Sequence, residues 1–172
     1  AALLARERGH GRPYVSLLQS RKHNFFTDGA RELFDCAGQG RIDVFFLSGG
    51  QIDGQGNVNL VSTGDYAHPK VRLPGSGRAC ELAINAHRVL CIAAQSKKSF
   101  PAKIDFVTSP GHLGGPGDRE RLGMRGAGPQ RVITDLALYD FEAGEMRVTS
   151  LHPGVTLDRV RETLGWEPKV AP

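Results

Sequence analysis

Two periods run through the apolar positions of this chain. From Phe25 onward Ala30, Leu33, Phe34 and Ala37 recur at i, i+3, i+4 and i+7, which predicts a helix over Phe25–Cys36. Thr27 or Asp28 stands at its N-cap, and Gly38 and Gly40 end it. Arg41–Leu47 is almost continuously apolar, as in a strand buried on both faces. Asn57–Thr63 reads as a second strand. Ala79–Arg88 reads as a helix with Ala79, Leu82, Ala83 and Ala86 on one face. Val89–Ala94 and Ile104–Thr108 read as further apolar strands, and Asp118–Gly128 as a Gly- and Arg-rich loop. Arg131–Phe141 and Met146–Leu151 form a hairpin across Glu142–Glu145. Thr156 caps a last helix, with Leu157, Val160 and Leu164 inward and Gly165 closing it. Strands alternating with helices predict an α/β fold: an open, mostly parallel sheet covered by helices on both sides, with a late antiparallel hairpin. No repeat or linker divides it, so residues 1–172 are expected to form one domain.

Composition narrows the function classes. The net charge is +4, but the cations are scattered and no block of like charge stands out. A nucleic-acid partner is therefore disfavoured against a mildly basic surface, and an anionic small ligand suits the balance as well. No apolar run approaches membrane-spanning length, and Ala1–Ala5 is too short and lacks the basic leader of a signal peptide. Cys36, Cys80 and Cys91 are an odd set without CxxC spacing, so neither a disulfide framework nor a metal site is expected, and reduced thiols fit a cytoplasmic protein.

The chemistry-bearing features are two glycine-rich turns, Gly49–Asn57 (GGQIDGQGN) and Pro74–Gly77 (PGSG). The second leads directly into a helix. Free N–H groups and a partial positive charge of about +0.5 at a helix start suit a phosphate, a carboxylate or a developing oxyanion. A plain strand-to-helix connection is the competing reading. No Lys-Ser/Thr follows, so this is not a Walker loop, and GGQIDG runs into a strand rather than a helix, so it is not a dinucleotide fingerprint. Gln51 is the contact candidate of the first turn, while Asp53 and Asn57 read as turn-forming residues.

Lys97 and Lys98 follow a strand and read as a solvated edge. Arg119, Arg121 and Arg125 occupy a loop where a nucleotide-like ligand is one possibility. The favoured reading is a surface loop with Asp118 and Glu120 as local partners. Among His10, His23, His68, His87, His112 and His152 no HExxH pattern occurs, and His112 beside the Pro110-Gly111 turn is the one to test. Gly75-Ser76-Gly77 is too short for a nucleophile elbow.

Six blocks, FLSGGQIDGQGNVN, GDYAHPKVRLPGSGRA, KIDFVTSPG, GGPGDRERLG, GPQRVITDLALYDF and SLHPGVTLDRVRETLGW, run in order from about Arg41 to Trp166. In that order they resemble the β subunit of family I coenzyme A transferases, the glutaconate type most of all. The resemblance implies an α/β fold related to the sugar-phosphate isomerase fold and a partner α subunit. It implies a ping-pong transfer of CoA between an acyl-CoA and a carboxylic acid. In the family a glutamate attacks the acyl-CoA to give a mixed anhydride. The CoA thiolate returns to give a glutamyl-CoA thioester, and a second acid takes the CoA. Coenzyme A is then a substrate, with no permanently bound cofactor.

The resemblance places Gly75, Ser76, Gly77 and Ala79 near the oxyanion and CoA-substrate site; Arg78 within that segment, and Gln51 from the first turn, complete the candidate binding residues. It departs from the family at three points. The glutamate expected upstream of GGQID is not found, since Glu7 lacks a preceding apolar strand and Glu32 and Glu81 sit on helices. Arg78 replaces a family glycine, and Ser96 replaces an acidic residue. The expectations are a β-type subunit lacking an N-terminal part, a β subunit of a CoA-linked ring-diketone hydrolase with the glutamate on α, or a non-catalytic partner.

Overall fold

The computed structural model describes residues 2–9, 13–18 and 20–172; His10 falls outside them. In chain order the elements are α1 (Ala2–Glu7), α2 (Gly29–Gly38), β1 (Val44–Leu47), β2 (Gln51–Ile52), β3 (Val58–Asn59), β4 (Ser62–Thr63), β5 (Val71–Arg72) and α3 (Ala79–Asn85). They continue with β6 (Arg88–Ile92), α4 (Asp118–Arg121), β7 (Pro129–Ile133), β8 (Ala137–Glu142), β9 (Glu145–Leu151), α5 (Leu157–Thr163) and β10 (Lys169–Val170). Six strands form the main sheet in the order β1-β6-β7-β8-β9-β10, and β2-β3 and β4-β5 form two small sheets. β1-β6, β6-β7 and β9-β10 are parallel; β7-β8 and β8-β9 are antiparallel. This is the α/β architecture that the apolar pattern predicts.

The core lies on one side of this sheet. Leu47, Val89, Cys91, Val132, Tyr139 and Val148 point there, against Ala79 and Ala83 of α3 and Val160 of α5. Leu33 and Ala37 of α2 pack on Leu82, with Ile42 and Phe45 beneath. The other side departs from expectation. Val44, Phe46, Leu90, Ile92, Arg131 and Ile133 alternate outward, and Phe46 and Ile92 are 44% and 46% exposed. Helices α2, α3 and α5 pack on the core side.

The β8-β9 hairpin turns through Ala143 and Gly144, at φ 50° and 77°, the backbone a two-residue hairpin loop needs. The Thr156 hydroxyl accepts the Arg159 N–H at 3.2 Å and caps α5 as expected.

Several boundaries differ because side chains take backbone partners. α2 begins at Gly29, not Phe25. Neither Thr27 nor Asp28 caps it through its side chain; instead the Glu32 carboxylate accepts both of their N–H groups. The expected 57–63 strand splits because the Thr108 hydroxyl takes the Leu60 N–H (2.9 Å) and the Asn59 side chain takes that of Val61 (2.9 Å). Residues 104–108 are not a strand, since Gln51 Oε1 takes the Asp105 N–H and only a bridge joins Ser109 to Val58. The expected 131–141 strand is cut by a turn at Thr134–Leu136, where the Thr134 hydroxyl accepts the N–H groups of Leu136 and Ala137. The helix expected to reach Arg88 stops at Asn85, because Ile42 draws the His87 N–H into the sheet.

Candidate functional site

The two glycine-rich turns have opposite characters. The first is filled by its own chain. A Cβ on Gly49 would strike Val58, one on Gly50 would meet Leu73 at 2.5 Å, and one on Gly56 would meet Phe141 at 2.7 Å. Asp53 Oδ1 accepts the N–H groups of Gln55 and Asn57, and its Oδ2 accepts from the Asn57 amide (3.0 Å). Burial raises the Asp53 pKa against these hydrogen bonds. Asn57 reaches on to Gly111 and Leu113, so this turn holds the 111–113 loop. Gln51, the contact candidate, is spent in the same way. It is buried, its Nε2 donates to Asp105 (2.9 Å), and its Oε1 accepts from Asn59 (2.7 Å) and the Asp105 N–H (3.0 Å). The polar atoms of Gln51 are thus held by Asp105 and Asn59 of the same chain.

The Pro74–Gly77 turn is open. Gly75 and Gly77 take φ of 94° and 44°, and a Cβ on either would meet no atom within 4 Å. Not every amide across Gly75–Ala79 is available. The Gly75 N–H donates to Leu60 O (2.7 Å), and the Ala79 N–H to Ser76 O (2.7 Å). The N–H groups of Ser76, Gly77 and Arg78 have no partner among the described residues. Ser76 and Gly77 are exposed, and Arg78 at the N-cap of α3 is half-buried without a carboxylate partner. The arrangement is three consecutive donors on a solvent-facing turn beside a cation, able to receive a carboxylate or a carbonyl gaining negative charge.

The other candidates resolve differently. Arg119 is not a ligand-facing cation. It is 4% exposed and donates to the carbonyls of Gly126, Pro110, Gly111, Ala83 and Ile84. The start of the expected 118–128 loop is instead the short helix α4, on which Arg121 pairs with Asp118 at 2.9 Å (i, i+3), and Arg125 donates to the Gly38 carbonyl. Lys97 and Lys98 are exposed.

Glu7 ends α1 in solvent, Glu32 caps α2, and Glu81 accepts from Asn85 at 2.8 Å. None of these three stands at a strand end. Burial raises the Cys80 thiol, with Glu81 adding to it, and pushes Cys91 up to about 12, so neither is a ready thiolate. Among the described residues no group of His, Cys, Asp and Glu could hold a metal ion, and no helix is long and apolar enough to cross a membrane.

His112 lines a groove of about 500 Å³ on the open side of the sheet, with Val44, Leu90, Pro129 and Arg131; the Pro74–Gly77 turn takes no part in it. Its Nε2–H donates to Pro129 O at 3.0 Å, and its ring lies 4.8 Å from that of Phe141. Burial, the largest cause, lowers its pKa below 6.5. The unfolded chain then binds the proton more readily, so stability is full above about pH 6.5 and falls as pH drops through 6.5 toward the lowered folded value. Urea midpoints measured from pH 7.5 to 5.5 should fall more steeply in the wild type than in His112→Gln. Parallel curves would rule the histidine out.

A residue that sequence reasoning missed is Gln95. It is buried, and its Oε1 accepts from Tyr139 (2.7 Å) and Thr134 (2.8 Å) while its Nε2 donates to Thr163 (2.9 Å). Burial pushes the Tyr139 hydroxyl up to about 12, which keeps it a donor. A glutamine at the end of an apolar strand was the available signal.

The coenzyme A transferase family model matches residues 6–163. The chain is a member of the coenzyme A transferase family. This CoA-transferase chain is 52% identical over 129 residues to the β-type subunit of 3-oxoadipate CoA-transferase from Pseudomonas knackmussii, covering 74% of this chain and 50% of that protein. It is 42% identical over 127 residues to the β-type subunit of glutaconate CoA-transferase from Acidaminococcus fermentans, covering 72% and 47%. The crystal structure of glutaconate coenzyme A-transferase from the same organism superposes with a TM-score of 0.78 at 35% identity, over 86% of this chain and 60% of that one. The CoA-transferase chain thus spans about half the length of the curated relatives it matches. The family resemblance carried by the six blocks, and the fold it implies, are borne out.

Proposed function

We propose that this chain works as the β-type subunit of a CoA-transferase, moving CoA between an acyl-CoA and a carboxylic acid together with an α subunit. The observation that carries the reading is the open turn at Ser76–Arg78, with three unpartnered amides in a chain of this family. These amides receive the oxygen of the thioester or anhydride carbonyl as it gains charge, and the Arg78 guanidinium steers the free carboxylate. The nucleophilic carboxylate comes from outside the residues described: Glu7, Glu32 and Glu81 are engaged or misplaced, Glu142, Glu145, Glu162 and Glu167 are held in ion pairs, and Glu120 lies in solvent on α4. Coenzyme A is the substrate rather than a resident cofactor, and the three free thiols suit the cytoplasm. The hydrolase alternative is not favoured, since the relatives matched at 52% and 42% are both named as CoA-transferases.

The test is to co-express the chain with a candidate α subunit and measure exchange of CoA between an acyl-CoA and a free carboxylate. Borohydride trapping then maps any enzyme thioester. Exchange with the label outside the described residues of this chain supports the reading. Hydrolysis without exchange, or a label on any glutamate among the described residues, overturns it.

A further inference from the structure

The hairpin formed by β4 and β5 carries an aromatic shelf that the proposed chemistry leaves unused. Tyr66 stacks on Phe106 with ring centroids 5.3 Å apart and planes inclined by 21°. The Arg72 guanidinium carbon lies 5.6 Å from the Tyr66 centroid. Tyr66 is 58% exposed and Phe106 37%, so the stack faces solvent rather than the core. It is nevertheless held firmly. Asp65 accepts the N–H groups of Ala67 (2.7 Å) and His68 (3.2 Å). Asp105 Oδ2 accepts from Gly64 N–H (3.0 Å) and from Gln51 (2.9 Å), which pins the hairpin to the segment bearing Phe106.

Three exposed cations, Lys70, Arg72 and Lys103, lie on the hairpin or close to Phe106 in the chain. None forms an ion pair among the described residues. A preorganised aromatic stack with unpaired cations is the composition that receives a nucleobase on its face and phosphates at its margin.

We propose that this shelf holds the nucleotide end of coenzyme A, with the adenine extending the Tyr66–Phe106 stack and the phosphates on Arg72, Lys70 and Lys103. The inference deepens the CoA-transferase reading and rests on it. Arg72 precedes Gly75 by three residues, at most about 10 Å of chain. A ligand anchored on the shelf can therefore run its pantetheine arm toward the Ser76–Arg78 amides.

The experiment titrates adenosine 3′,5′-bisphosphate, and adenosine for comparison, into the full chain by calorimetry. The bisphosphate is expected to bind and adenosine to bind more weakly. Tyr66→Ala and Arg72→Ala should each weaken the bisphosphate roughly tenfold, and Tyr66→Phe should retain it. As a readout that needs no variant, the bisphosphate should slow tetranitromethane nitration of Tyr66 but not of Tyr14, which is 94% exposed.

No binding, unchanged affinity in Tyr66→Ala, or equal nitration with and without the bisphosphate overturns the shelf. So does loss of α-subunit association in Tyr66→Ala with nucleotide affinity intact, which makes the shelf a protein contact. Exchange activity in a chain that ignores the bisphosphate removes the shelf alone. Shelf-dependent binding in a chain whose reconstituted pairs show no exchange removes the transferase reading and leaves the shelf.

Discussion

Replacing Arg119 with methionine should lower the unfolding free energy by about 3 kcal/mol. Methionine matches the stem in size but donates nothing. The carbonyls of Ala83, Pro110, Gly111 and Gly126 would lose the guanidinium that serves them, while Ile84 O keeps the Gly126 N–H. Each buried acceptor left short costs about 1–3 kcal/mol, offset in part by no longer burying a charge. Desolvation already lowers the Arg119 pKa, which shows the direction of that offset. Arg119→Lys should fall between the two, since an ammonium has three donors. The urea midpoint measures the loss, and faster proteolysis between Gly111 and Gly128 should accompany it. A loss under about 1 kcal/mol in Arg119→Met would mean that the five hydrogen bonds are not what joins this loop to α3.

Gly77→Asp should cut CoA exchange by the reconstituted pair at least a hundredfold while changing stability by about 1 kcal/mol or less. Aspartate tolerates a left-handed backbone such as the φ of 44° at Gly77, and its Cβ would enter empty space. The cost to the fold is therefore confined to the backbone strain of a side chain at positive φ, which aspartate bears better than most. The added carboxylate, however, stands beside the Ser76–Arg78 amides and repels any oxygen gaining negative charge there. Gly77→Asn separates charge from bulk and should keep much of the rate. Full exchange activity in Gly77→Asp would remove the turn from the site.

How far the sequence could be read depended on who supplies the backbone partners. Where strands pair with strands, as in β1, β6 and the β8-β9 hairpin, the apolar pattern placed the elements within a few residues. Where side chains intercept the backbone, as Asn59 and Thr108 do between β3 and β4, nothing in the local period revealed the break. The burial of Gln51 and Arg119 has one cause. Each reads as a polar residue in a glycine-rich loop, and its burial includes contacts 54 residues away for Gln51 and 36 for Arg119. The Pro74–Gly77 turn was legible as a place for free amides. That two of the five amides across Gly75–Ala79 are already occupied was not; the Gly75 partner, for one, is the carbonyl of Leu60, a residue on the far side of the β4-β5 hairpin.

The outward row of Phe46, Leu90 and Ile92 has a practical corollary for every comparison of variants. Molecules opened by heat would meet through that adhesive surface and precipitate before they could refold, so a calorimetric scan would report a rate of loss. Chemical denaturation at high dilution keeps the transition reversible, and it is there that differences between variants acquire the meaning of free energies.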